Sequence, residues 1–147
     1  MFRWTAWVLI LLGSFDFALA QDVIPDLKGV WTGKGGAIVI GNDPFRPDHT
    51  TSSGTPHKAD LDLTFTIKGQ EGRLLWGELS SSATSFTKVF AWAIADDNRT
   101  ILGADADGLY WLRIVSADRM ERCYVQTAAN AAKSIIASCF AVDRLKQ

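Results

Sequence analysis

Histidine, cysteine, methionine and tyrosine each occur only twice in the 147 residues, and proline four times. So little histidine leaves scant material for an imidazole metal centre or for a serine-type triad, which needs a rigidly held histidine. No Cys-x-x-Cys, Gly-x-Ser-x-Gly, phosphate-loop or dinucleotide fingerprint is present, so none of those chemistries has its motif. Charge of one sign is also lacking. A net charge of −1 supplies no surplus of Lys and Arg to neutralise nucleic-acid phosphates. With 48% hydrophobic residues the chain is too apolar for disorder. The expectation is one globular domain that is not an enzyme and carries no cofactor or metal.

Long hydrophobic runs are missing as well. The apolar stretch Trp4–Leu12 would span about 14 Å as a helix, short of the ~30 Å hydrocarbon core. With Arg3 before it and Ala18-Leu19-Ala20 after it, it reads as a signal peptide over residues 1–20. No cysteine follows Ala20 directly, so a lipid anchor has no acceptor. Residues 21–147 are then a single secreted or periplasmic domain with no membrane span after cleavage. In an oxidising compartment Cys123 and Cys139 are expected to bridge.

Short runs rich in β-branched and aromatic residues alternate with turn residues through the rest of the chain. Eight strands are predicted, over 29–41, 60–68, 73–80, 86–95, 99–105, 109–116, 119–127 and 134–143. Asp107-Gly108 reads as a type I′ hairpin turn, with positive φ at both residues. Tight turns are also expected at 69–72, 96–98 and Ala117-Asp118. Consecutive hairpins give an all-β, up-and-down antiparallel order, and closure of eight strands into a barrel removes the exposed edges.

Facing residues in a hairpin have a constant index sum. A turn at Ala117-Asp118 puts Leu112 opposite Cys123. A connection centred on Ala131 puts Cys123 opposite Cys139, Val125 opposite Ala137 and Arg119 opposite Asp143. One face then collects Phe90, Trp92, Ile94, Ile101, Tyr110, Leu112, Ile114, Val125, Ile135 and Ala137, and another hairpin adds Leu61, Leu63, Phe65, Ile67, Leu75 and Leu79. This face is expected inside. Asp62, Thr64, Thr66, Glu78, Arg113, Arg122 and Gln126 fall outside, together with Trp76, Trp111 and Tyr124. A slip of one residue would invert a strand.

Gly29-Val30-Trp31 resembles the Gly-x-Trp signature of the calycins, the group of lipocalins, fatty-acid-binding proteins and avidins. The run GVWTGKGGAIVIG also looks like an avidin-type first strand. The resemblance covers this run and the eight-strand order. It implies a calycin-like barrel in which Arg144, a late basic residue, covers Trp31 near the closed end. The polar biotin-binding residues of avidins have no match here, so biotin binding is not implied.

Two functions are compatible with this reading. An eight-stranded barrel is wide enough to hold one small ligand or to be filled by side chains. In the first case a small hydrophobic ligand would stack near Trp31, Phe65, Phe90, Trp92 and Tyr110. In the second the core is solid and the protein is an interaction module or inhibitor. Its partner, or a second copy, would meet Trp76, Trp111, Tyr124 and Arg113 on the outer face, residue types favoured at interface centres.

Other constellations have plainer readings. His49, His57, Asp48 and Asp60 could supply metal ligands, but they sit in or beside a proline-rich loop over 42–59 that reads as a lid or a connector. Asp105-Ala106-Asp107-Gly108 looks like part of a calcium loop, yet Gly103 and Ile114 then fall where carboxylates are required. Asn98-Arg99-Thr100 matches a glycosylation sequon within a tight turn. Asp105 and Glu121 could converge as a pair of acids in the barrel mouth.

Overall fold

Backbone alternation dominates the described residues, which are 23–41, 55–82, 86–127 and 134–146 of a computed structural model. The strands are β1 (Gly29–Ile40), β2 (His57–Glu71), β3 (Leu74–Ser81), β4 (Thr87–Ile94), β5 (Thr100–Ala104), β6 (Gly108–Ser116), β7 (Arg119–Gln126) and β8 (Ile135–Arg144). Each pairs antiparallel with the next, and β8 returns to β1, closing an up-and-down barrel. The fold class is therefore the one expected. Residues 1–20, most of the 42–59 loop with Asp48 and His49, and the 128–132 segment lie outside the described residues.

Inward residues of β2 to β6 follow the period of two. Leu63, Phe65, Ile67, Leu75, Leu79, Phe90, Trp92, Ile94, Ile101 and Leu112 are all buried. Two details of the hairpins differ from expectation. Between β5 and β6 the connection is Asp105–Asp107, and Gly108 belongs to β6 without positive φ. The turn is built instead by the Asp105 carboxylate, whose Oδ1 accepts from the backbone N–H groups of Asp107 and Gly108, each at 2.8 Å. Ile101 consequently faces Leu112, whereas a two-residue turn at Asp107-Gly108 would have set it opposite Ile114. A shift of two residues leaves the faces unchanged.

The second difference does change the faces. The β6–β7 turn is at Ala117-Asp118 as expected, with Ser116 opposite Arg119, but Ile114 stands opposite Met120. Val115 is thus an extra residue, a β-bulge that shifts the ladder by one. Leu112 faces Arg122, not Cys123. Every later side chain is inverted relative to the register expected from the turn. Met120, Arg122, Tyr124 and Gln126 point inward, and Val125 and Ile135 are exposed. Ala137 is exposed too. The outward placement expected for Arg122, Gln126 and Tyr124, and the inward placement expected for Val125, Ile135 and Ala137, are both corrected by this one bulge.

Pairs within β7 and β8 survive because both strands turn together. Cys123 faces Cys139, Arg119 faces Asp143 and Val125 faces Ala137. Cys123 and Cys139 form a disulfide across that ladder. An oxidised pair of this kind is consistent with an extracellular or periplasmic protein.

Candidate functional site

The two ends of the barrel are built differently. At the end where β1 begins, the segment before the strand is folded over the opening. Leu27 is fully buried, its N–H donates to Gln70 Oε1 at 2.9 Å, and Gln70 Nε2 donates to Pro25 O at 2.8 Å. Trp31 lies inside this plug and donates through Nε1 to Leu27 O at 2.9 Å. The Arg144 guanidinium stands 4.4 Å from the Trp31 ring and donates to the carbonyls of Asp26 and Lys28, each at 2.7 Å. A cation over the indole face is held by the ring quadrupole, and the two hydrogen bonds tie down chain that precedes β1. Gly29 takes positive φ there, with Arg144 Nη1 beside it. This end is closed.

The middle is filled by aromatic rings. Phe90 and Trp92 stack with centroids 4.0 Å apart, and Phe65 packs against both at 6.1 and 5.6 Å. Tyr110 lies 5.6 Å from Trp92 and 6.3 Å from Phe65. These are offset and edge-on contacts of the kind rings prefer. Trp31, Phe65, Phe90 and Trp92 are buried in the core, and Tyr110, also among the five aromatic residues proposed from sequence, borders open space.

That open space is a cavity of about 40 Å³ toward the other end, where β1 finishes and β2 starts. Val39, Leu61, Leu63, Leu79, Phe86 and Ile136 form its apolar wall. Its polar wall holds Tyr110, Arg122, Tyr124, Ser138 and Asp105, and Asp60, Ser81 and Lys88 also line it. At about 10–15 Å³ per enclosed water, the cavity is the size of a few waters or a small functional group.

A buried cation dominates the polar wall. Arg122 is only 2% exposed, and no carboxylate lies within ion-pair distance of it among the described residues. Its Nη1 donates to Ser138 Oγ at 2.7 Å, and its Nε meets no acceptor. Four rings surround it, with centroids 4.9 Å (Phe140), 5.1 Å (Tyr124), 5.4 Å (Tyr110) and 5.8 Å (Phe65) from the guanidinium carbon. Burial lowers the affinity of this guanidinium for its proton, while the neighbouring tyrosines and Asp105 favour the charged form.

Asp105 anchors the other half of the network. Besides closing its turn it accepts from the Tyr110 hydroxyl at 2.7 Å, and Tyr124 Oη lies 3.3 Å away. Tyr124 also donates to Gln126 Oε1 at 3.0 Å, and Gln126 Nε2 donates to Ser134 Oγ at 2.8 Å. Burial, then the Asp105 carboxylate, push both phenols far above their ordinary range. Gly108 makes the arrangement possible. A Cβ at that position would run into the Tyr124 ring and the Val125 carbonyl. At the rim, Lys88 and Asp107 form an ion pair.

Sequence reasoning missed Arg122, Ser138 and Asp105 as members of one site. A usable signal existed in β8, where Asp143 shares a face with Cys139 while Ile136, Phe140 and Val142 share the other. That pattern sends the disulfide outward and Ser138 inward. Asp105 and Glu121 do not converge, because Glu121 is on the outer face.

Trp76, Trp111 and Arg113 are exposed as expected. They stand among outward apolar neighbours, since Trp76 faces Ala91, Ala91 faces Ala104, Ala104 faces Leu109 and Leu109 faces Val125. Tyr124 is 5% exposed and has no part in that surface. No family profile and no curated protein matches the chain.

Proposed function

We propose that the protein is a non-enzymatic carrier or sensor of a small ligand outside the cytoplasm, with the ligand seated in the mouth-side cavity rather than against the central aromatic stack. The observation that carries this reading is the cavity itself. It is walled by apolar side chains on one side and by an almost fully buried, polar network on the other. Purely structural cores avoid such a network, because each buried polar group must find a partner or incur a desolvation cost. Convergent polar groups at one end of an apolar pocket are how ligand sites fix orientation. Purification from the host under gentle conditions, followed by native mass spectrometry, tests the proposal. A co-purified small molecule released on unfolding is expected; a consistently empty barrel that takes up no small molecule overturns it.

The outer face supports a second reading, self-association. Leu74, Trp76, Val89, Leu102, Leu109, Trp111 and Val125 are exposed on adjacent strands β3 to β7. The outward residues of β2, by contrast, include Lys58, Asp60, Asp62 and Lys68. An apolar patch confined to one side of a barrel suits an isologous contact between two copies. Sedimentation of the protein with Trp111→Glu against the parent tests it: a dimer that becomes a monomer is expected, and a parent that is monomeric at all concentrations ends this reading.

A further inference from the structure

We propose that the cavity selects a singly charged carboxylate, whose head group is held by Arg122 while an apolar tail leaves along Leu61 and Phe86. This rests on the small-ligand reading above and names the chemistry that reading leaves open. The central observation is a cation with no counter-charge in contact. Arg122 is 2% exposed, has no carboxylate within ion-pair distance among the described residues, and keeps an unpartnered Nε. Its Nη1 donates to the neutral Ser138 hydroxyl. Aromatic faces attract a cation but give it no hydrogen-bond acceptors. A guanidinium placed in this way carries desolvation cost without the pairing that usually offsets it. A planar carboxylate is the anion whose two oxygens match the guanidinium fork.

The surroundings narrow the class further. Asp105 lines the cavity, and its oxygens are already engaged by two backbone N–H groups and the Tyr110 hydroxyl. Asp60 lines the cavity as well as Asp105, so a dianion such as phosphate would meet more repulsion from these carboxylates than a monoanion does. The cavity of about 40 Å³ accommodates a head group and the first carbons of a chain, not a whole drug-sized molecule. The apolar wall then continues to Leu61 and Phe86, both partly exposed residues packed against the core.

Calorimetric titration of the full-length protein with octanoate, octanol and octylamine tests the proposal. These probes share a chain and differ in head-group charge. Octanoate is expected to bind at least tenfold more tightly than octanol, with octylamine weakest, and Arg122→Met is expected to abolish the difference between octanoate and octanol. Equal binding of octanoate and octanol to the parent would overturn carboxylate selection while leaving the small-ligand reading in place. Binding of none of the three would overturn both. If Arg122→Met does not fold, the parent series alone decides, since the ranking of the three head groups is read without any variant.

Discussion

Leu112 and Arg122 stand opposite each other across the β6–β7 ladder, and both are buried. A leucine paired with an inward-pointing arginine is an expensive arrangement for a core, and it exists because Val115 bulges out of the strand just before the turn. The bulge carries β7 through half a pleat. It thereby turns the Arg122 guanidinium, the Tyr124 phenol and, through the β7–β8 pairing, the Ser138 hydroxyl toward one cavity.

Replacing Arg122 separates the needs of the fold from the needs of a ligand. Arg122→Met keeps the length of the side chain and removes a buried charge, and such exchanges are neutral or stabilising by roughly 1–4 kcal/mol. Arg122→Ala empties the centre of four rings and is expected to cost about 2–4 kcal/mol through lost packing. Urea denaturation of the two variants checks the ordering. A methionine variant much less stable than the parent would mean that the charge itself holds the barrel together.

The two tyrosines of the chain give a pH signature. Both phenols titrate far above 10 in the folded state because burial and Asp105 disfavour the phenolate. The unfolded chain ionises near 10. Below that pH both states hold their protons and stability is unaffected; as pH rises above it only the unfolded state releases them, so stability falls. Tyrosinate absorbance is therefore expected to appear together with unfolding, in one cooperative step. A gradual rise near pH 10 with the barrel intact would contradict the burial of Tyr110 and Tyr124.

Asp97 gives the opposite sign at low pH. Hydrogen bonds from the Thr100 hydroxyl, the Thr100 N–H and the Arg99 N–H lower its carboxyl to about 2. The stabilisation of the β4–β5 turn is complete above the ordinary carboxyl value of 3.8 and is lost as pH falls toward 2. Carbon-detected NMR titration of Asp97 should show this depressed midpoint, and Thr100→Val should raise it.

The disulfide is expected to be separable from the site. Cys123 and Cys139 are 16 residues apart and face outward, away from the cavity. Reduction should lower stability by about 3 kcal/mol in the loop-entropy account. Cys123→Ala with Cys139→Ala should leave ligand binding unchanged, as calorimetry would show.

Arg144 is the clamp of the closed end. Arg144→Met keeps much of the contact with Trp31 but removes the donors to the Asp26 and Lys28 carbonyls. A loss of about 1–3 kcal/mol is expected, charged hydrogen bonds being worth more than neutral ones. Hydrogen exchange should speed up at Leu27 and in the start of β1, while β5 and β6 stay protected.

The turns and the alternation of β2 to β6 were legible in the residues. Ile94 opposite Ile101 follows from Asp97-Asn98, and Cys123 opposite Cys139 follows from a connection centred near residue 131. The site was not legible, for a physical reason. In β7 the alternating sets are Met120, Arg122, Tyr124 and Gln126 against Glu121, Cys123 and Val125, and neither is cleanly apolar. Hydropathy fixes register only where one face is plainly a core. Here the inner face of β7 is the polar wall of a cavity, so its register had to come from the turn or from the clearer alternation of β8, and the turn misleads because Val115 carries no mark of an extra residue. Asp107-Gly108 misled in a smaller way, because the carboxylate of Asp105 builds that turn without positive φ at the glycine.

The most direct test of the account is the NMR resonance of the Arg122 Nε–H group, followed as octanoate and then octanol are added to the full-length protein. The account predicts that octanoate shifts this resonance strongly and slows its exchange with water, while octanol leaves it nearly in place. An Arg122 resonance indifferent to octanoate, with shifts confined to the outer face or to the closed end, would contradict it.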